Sequence, residues 1–292
     1  MVILFCELLA VLFLAAILRE IGLPPAALMV YWWKPLVVKE LVNSAHMDAL
    51  ILPLMVGAIL CVIRKRHVLA SATLAVGVGT KLWPVVLIPI LFRPLISRPR
   101  KLAWTLGVFG GLALALLIPY ALAATGPDSG LLAYGGQWEM NDPLFMLMLW
   151  GVRWVMEAAG GSAAAAPLTT RIIAGLLLFG WIGWLSRRPG GGPAQLAEKC
   201  LLAAAGMFLL SPTQFPWYAL WFLPLLTVRP RLSLVLLTVL LPLYYLRFYF
   251  LGTNTPEIFD YGIVFVEFVP VWLLLGWEMW KGRSRPQREV TA

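Results

Sequence analysis

Charge is scarce in this chain. Of its 292 residues, 13% are charged and 61% are hydrophobic, and the mean hydropathy is +0.85. Soluble domains average about 45–50% apolar and about 25% charged residues, so an ordinary soluble domain is excluded. Cysteine is scarce as well. Cys6, Cys61 and Cys200 lie in or at the ends of apolar runs, without the spacing of a metal site or a disulfide framework. They are expected as packed small hydrophobes. Only two histidines occur, His46 and His67, and no second histidine lies near His46, so a zinc motif is not supported. The chain lacks a Walker loop, a dinucleotide fingerprint and a nucleophile elbow. It shows no repeat of fixed period. The stretch from Met1 to Leu18 lacks a basic start and a small-residue cleavage motif, and it reads as a membrane helix rather than a signal peptide.

What is present is a series of helix-length apolar runs. They give an all-α fold, a polytopic transmembrane helix bundle of about eight spans plus a re-entrant helical hairpin. Residues 1–292 read as a single integral membrane domain, with membrane segments expected at 2–18, 49–63, 68–92, 102–124, 171–186, 196–210, 217–228, 232–250 and 261–280. Residues 143–157 are expected as a re-entrant or surface helix. The run 68–92 breaks at Gly77 to Pro84. It reads either as a hairpin with Lys81 at its apex or as one straight span.

The net charge of +9 raises nucleic acid as a partner, but its distribution excludes that class. Basic residues gather in short clusters between apolar runs: Arg64 to Arg66, Arg93 to Lys101, Arg187-Arg188, Arg229 with Arg231, and Lys281 to Arg288. That is the positive-inside pattern of cytoplasmic loops. Carboxylates then fall on the outer side: Glu20, Glu40, Asp48, Asp128, Glu139, Asp142, Glu157, Glu257 and Asp260. An outer face of carboxylates and aromatics suits a sugar or a cation, and it leaves room for a divalent cation. Glu7 lies inside the first span, where it either faces the bundle or reaches towards an interface.

The densest polar cluster is Lys39 to Asp48. It holds a lysine, two carboxylates, an amide, a hydroxyl and His46 just before a long apolar run. Polar groups beside a bilayer are expensive, which makes the cluster a functional candidate. The plain alternative is a polar loop capping a membrane helix. On a short helix after Pro35, Glu40, Asn43 and Ser44 fall at i, i+3 and i+4, hence on one face. Outer loops add Tyr134, Trp138, Glu139, Asn141 and Asp142, and the turn Ser211 to Tyr218 adds Trp217 and Tyr218. Transfer of a sugar from a lipid phosphate needs these types. A base takes the acceptor proton, cations hold the leaving phosphate, and aromatic and amide groups position the sugar.

Trp33-Lys34-Pro35-Leu36-Val37-Val38-Lys39-Glu40, with Asn43, His46 and Asp48, resembles a segment of bacterial polyprenyl-phosphate-dependent mannosyltransferase-like proteins of the GT-C superfamily. Gly79 to Pro84 with Pro89, the Tyr134 to Asp142 loop and the Ser211 to Tyr218 turn are similar to further elements of that family. The resemblance covers roughly residues 30 to 225, and Lys34 stands where the family often has asparagine. It implies a GT-C-like fold in a bacterial inner membrane with an outer-face site. It also implies inverting transfer of a hexose, mannose foremost, from a polyprenyl-phosphate donor to a glycan or lipid acceptor among membrane lipids. On that reading Glu40, His46 and Asp48 are the catalytic candidates. Asn43, Lys81, Trp138, Glu139, Asn141, Asp142, Trp217 and Tyr218 are the substrate-binding candidates. The family's catalytic aspartate in a first outer loop has no counterpart segment here. Either Glu40 or Asp48 substitutes for it, or the base lies upstream of Met1 and the chain is an inactive, shortened membrane partner. A transporter or flippase of a lipid-linked or small solute is the remaining alternative, since broken helices and intramembrane charges serve transport too.

Overall fold

The computed structural model describes residues 1–123 and 138–283. Asp128, Tyr134 and the basic residues beyond Arg283 lie outside them. The described residues build a helical polytopic bundle with no β-strand among them. Two compact units divide the chain, Met1–Arg229 and Pro230–Ala292.

The first unit contains α1 (Val2–Glu20), α2 (Pro35–Asn43), α3 (Met47–Ile63), α4 (His67–Thr80), α5 (Pro99–Ala123), α6 (Pro143–Ala158), α7 (Ala163–Arg187) and α8 (Pro193–Leu210). The second contains α9 (Leu232–Gly252) and α10 (Pro256–Lys281). Six of these, α1, α5, α7, α8, α9 and α10, are long and apolar enough to cross a membrane. A seventh crossing is counted if α2 and α3, bent by 100° at their junction, form one broken span. Only 6% of the most apolar window of α5 is buried, and Leu112, Leu114, Leu116 and Ile118 lie exposed on it. So large an apolar surface marks a contact with something other than water.

In the first unit α3 packs on α1 and α4, α4 on α5, and α7 on α6 and α8. Gly79 lets α4 approach α5 closely, because a Cβ there would stand 2.7 Å from Leu116. The Arg64 guanidinium donates to Glu20 at 2.9 Å, so α1 and α3 end at the same place. This corrects the expected side of Glu20, which belongs with the basic cluster rather than with the 39–48 cluster. The chain returns from Glu20 through short turns at Pro25–Leu28 and Met29–Trp32, which pack on α1 and on the Leu223–Thr227 turn and bury Tyr31 alone. On this return path Tyr31, fully buried, donates its hydroxyl to Glu7 at 2.6 Å. Glu7 thus faces the interior.

Irregular backbone fills the middle of the unit. Residues 216–227 form two 3-10 turns, Pro216–Trp221 and Leu223–Thr227, both buried nearly throughout. Prolines at their starts remove N–H groups that a helix would leave unpaired there in any case. Non-helical backbone at membrane depth is tolerated only inside protein or along a cavity. These turns meet that condition, packed against α8, the Met29–Trp32 turn and the start of α3.

The second unit is an α9–α10 pair. Glu278 accepts from the Leu232 backbone N–H at 2.7 Å and from the Ser233 hydroxyl at 2.6 Å. A carboxylate at a helix N-terminus satisfies an orphan donor and meets the positive end of the helix dipole.

Candidate functional site

α2 does not end as an α-helix. Its last turn, Val38–Asn43, widens to π geometry. Glu40 becomes fully buried, while Asn43 stays exposed. The shared face expected for Glu40 and Asn43 is therefore not formed, because the wider turn rotates i and i+3 apart. The chain then reverses through Ala45, a non-glycine residue at φ +52°. The His46 N–H donates to the Glu40 carbonyl at 3.0 Å and the Ser44 N–H to the Lys39 carbonyl at 2.9 Å. Lys39 Nζ donates to Ser44 Oγ at 2.7 Å, closing the turn on its outer side. A non-glycine residue in this region costs on the order of 1–3 kcal/mol and persists where the surroundings over-determine it, often at functional sites.

The turn sets His46 and Asp48 down at the start of α3. Asp48 is nearly buried and accepts three hydrogen bonds. Two come from Lys81 Nζ, at 2.9 and 3.1 Å, and one from Trp221 Nε1 at 2.7 Å. Lys81 is presented by the last turn of α4, which stops as Leu82 and Pro84 enter the following 3-10 turn. Its ammonium stands 3.9 Å from the centroid of the Tyr218 ring and 5.0 Å from that of Trp221. The cation is thus held between a carboxylate and two aromatic faces, both favourable to a partly desolvated ammonium.

The aromatic walls follow from the 3-10 turn. With three residues per turn, i and i+3 eclipse. Tyr218 and Trp221 accordingly stack at 4.4 Å, and Trp83 stacks on Trp221 at 5.0 Å. Trp217 stacks on His46 at 4.1 Å and on Phe215 at 4.5 Å. Trp138 meets Phe215 edge-on at 6.2 Å. An aromatic ladder from Trp138 through Phe215 and Trp217 to His46 therefore joins the 138–142 stretch to the α2–α3 turn.

That stretch is fastened by backbone. The Met140 N–H donates to the Pro212 carbonyl at 3.0 Å, and the Gln214 N–H donates to the Met140 carbonyl at 2.9 Å. Asn141, at φ +54°, donates through Nδ2 to the Gln214 carbonyl at 3.1 Å. Asn141 and Asp142 are buried, whereas Trp138 is half exposed. Glu139 pairs with Arg171 of α7 at 3.1 Å.

His46 Nε2 lies 3.4 Å from Glu40 Oε2, slightly beyond a hydrogen bond. Burial holds the imidazole below the ordinary histidine pKa. Asp48 opposes this, and the Lys39 and Lys81 cations add to it. The imidazole is therefore neutral near pH 7 and able to accept a proton. It keeps 28% of its side-chain surface exposed, whereas Glu40 behind it has none. A partly exposed neutral histidine backed by a buried carboxylate is an acid–base arrangement.

Of the expected residues, Glu40, His46, Asp48, Lys81, Trp217 and Tyr218 come together, and Trp138 joins them through the ladder. Glu139, Asn141 and Asp142 serve the neighbouring stretch, and Asn43 is exposed. Sequence reasoning missed Trp221 and Trp83 as site residues. The signal for Trp221 was present, three residues after Tyr218 in a proline-started turn. The Trp83 Nε1 is buried without a hydrogen-bond partner, so a polar donor remains beside the site. Among the described residues, no three His, Cys, Asp or Glu side chains gather into a set that could hold a metal ion. Asp48 in particular is committed to Lys81 and Trp221.

A family model described as alpha-(1->6)-mannopyranosyltransferase, N-terminal domain, matches residues 1–96. No curated protein and no solved structure matches the chain. The matched stretch contains Glu40, His46, Asp48, Lys81 and Trp83 and stops short of Trp138 and the 211–221 turn. It supports a mannosyltransferase-like family and, in general terms, a glycosyl transfer of mannose by this multi-pass membrane protein.

Proposed function

We propose that this chain transfers mannose from a polyprenyl-phosphate donor to a glycan or lipid hydroxyl at the His46–Asp48 end of the bundle, the outer face by the basic-residue rule. The observation that carries the reading is a coincidence. The stretch similar to a mannosyltransferase domain is the one that brings Glu40, His46, Asp48 and Lys81 to one place. A site at the end of membrane helices suits a lipid-anchored donor, whose reactive sugar phosphate lies near the interface.

The geometry supports the following chemistry. His46 accepts the proton of the acceptor hydroxyl, and buried Glu40 stabilises the imidazolium that results. The acceptor oxygen forms its bond to the mannose anomeric carbon as the bond from that carbon to the phosphate oxygen breaks. A single displacement of this kind inverts the anomeric centre. Lys81 meets the charge that grows on the leaving phosphate. Asp48 and Trp221 hold the ammonium in place, a positioning role in which Asp48 makes no contact with the reacting atoms. The half-exposed Trp138 offers a ring to the sugars, while Trp217 and Tyr218, stacked within the protein, hold His46 and Lys81 in place. The family match raises an α-(1→6) linkage as the first product to look for.

The test is transfer of labelled mannose from polyprenyl-phosphate mannose by purified chain in lipid vesicles. The reading expects turnover that falls at least about 100-fold in His46→Ala, the usual scale for a lost acid–base group. Transfer at the wild-type rate in both His46→Ala and Lys81→Ala would remove this site from the reaction.

A further inference from the structure

The opposite end of α3 holds a second polar site, one that the transfer chemistry does not use. A cavity of about 910 Å³ opens where α3 meets α4, lined by the Arg93–Arg98 stretch and by the loop between α7 and α8. Lys65, His67, Arg93, Arg98, Arg188 and Lys199 line it, and no carboxylate is among the lining residues. Glu20 and Glu198, the nearby acids, are engaged with Arg64 and Arg229 instead.

Three further features point to an anion. The N-terminus of α8 reaches the cavity at Pro193, and its N-cap, Gly192, supplies no capping side chain. The N-terminus of α4 reaches it at His67, and its N-cap, Arg66, makes no capping hydrogen bond either. Helix N-termini present unpaired N–H groups and the positive end of a dipole. Finally, His67 is more than nine-tenths buried and its Nδ1 has no hydrogen-bond partner, so the tautomer that carries its proton there has a donor to offer an anion. The loop is also held in shape. Lys199 Nζ donates to the carbonyls of Arg188 at 2.8 Å and Gly190 at 3.2 Å, and Gly190 takes φ +109°, which a side chain would strain.

An exposed row of basic residues needs only the positive-inside rule to explain it. A cavity of this volume, walled by cations from three separate chain segments without one acid, goes beyond that rule. Like charges brought around a void repel one another unless something neutralises them. Arginine forks and helix N-termini match phosphoryl oxygens in particular.

We propose that this cavity binds a phosphoryl anion, supplied either by an anionic lipid headgroup or by a soluble phosphorylated molecule. Basic pockets between helices at the cytoplasmic side are suited to lipid headgroups, and the cavity lies at the basic end of the bundle. The site is independent of the mannosyl-transfer reading, and its test does not use transfer.

The full chain is purified in an uncharged maltoside detergent. Calorimetric titrations are run with inorganic pyrophosphate, with dioctanoyl-phosphatidylglycerol and with zwitterionic dioctanoyl-phosphatidylcholine. The expected result is binding of at least one of the two anions and none of the phosphatidylcholine. Pyrophosphate binding assigns a soluble ligand, and binding of phosphatidylglycerol alone assigns a headgroup. The Arg93→Gln/Arg98→Gln double variant is expected to weaken binding at least about ten-fold. Gly191→Asp removes no contact and adds a carboxylate to the lining where a Cβ meets nothing within 4 Å. It should weaken binding by a similar factor, and it decides the matter alone if the double variant does not fold. Failure of both anions to bind, or wild-type affinity in Gly191→Asp, overturns the proposal.

Discussion

The two ends of α3 handle positive charge in opposite ways. At the His46–Asp48 end, the partly buried Lys81 has a carboxylate at hydrogen-bond distance and an aromatic ring below it. At the Arg64 end, six basic side chains line one cavity with no acid among them. The difference is instructive because desolvation is what makes an unpaired charge costly. Lys81 is largely covered by protein and is matched within it. The cations of the other end line an open cavity, where a ligand or water can meet them. A matched cation inside the protein is pre-positioned for charge that develops during a reaction. A set of unmatched cations is suited to an anion that arrives already charged.

The largest expected effect comes from breaking the matched end. Lys81→Ala should lower mannosyl transfer about 10²–10³-fold, the scale for removing one preorganised electrostatic group. Asp48→Asn should follow it closely, because it loosens the ammonium. Radiolabel transfer assays on both variants check this, and a small effect in Asp48→Asn would mean that Lys81 is held well enough by the rings. Next comes pH. A general base must be deprotonated, so the rate should fall as pH drops through the His46 pKa. With burial holding that pKa below its ordinary value of about 6.5, the acidic limb should lie below that pH. In Asp48→Asn, which removes an influence raising the pKa, the limb should move lower still.

Smaller effects separate binding from chemistry. Trp138→Ala removes the half-exposed ring at the end of the aromatic ladder and should raise KM by about ten-fold, in line with about 0.5–1.5 kcal/mol for an aromatic pair plus its contact area. Steady-state kinetics at varied donor concentration check this. Tyr31→Phe should leave transfer unchanged. It deprives buried Glu7 of its donor and should reduce stability by about 1–3 kcal/mol, the cost of an unsatisfied buried group. A thermal melt in detergent reads that loss. Arg64→Gln, which breaks an exposed pair at the other end, should change the melt by less than about 1 kcal/mol. An equal loss in both variants would contradict the contrast between buried and exposed pairs.

Much of the fold was legible because bilayer-length apolar runs leave few alternatives. The all-helical bundle and the spans at α1, α5 and α7 to α10 follow from hydropathy alone. Glu20 was misplaced for a specific reason. Residues 19–47 read as one connection on the outer side, whereas residues 21–46 carry the chain from the Arg64 end back to the 39–48 cluster without a long apolar helix. The polar cluster at 39–48 was conspicuous in so apolar a chain. The Lys81–Asp48 pair was not visible, because no sequence period links residues 33 positions apart. The face expected to carry Glu40 and Asn43 together does not form because the helix widens to π geometry at its end, which spacing rules for an α-helix do not anticipate. Trp221 was within reach of a 3-10 period, had the proline-started turn been read with three residues per turn rather than as a simple span.

The central claim is that His46, backed by Glu40, is the base of a mannosyl transfer in which Lys81 meets the leaving phosphate. The most direct test is the pH–rate profile for transfer from polyprenyl-phosphate mannose, measured side by side for the wild-type chain and His46→Ala. The wild type should show an acidic limb below pH about 6.5. In the variant the rate should fall at least about 100-fold and that limb should disappear. A variant that keeps both the rate and the limb would contradict it.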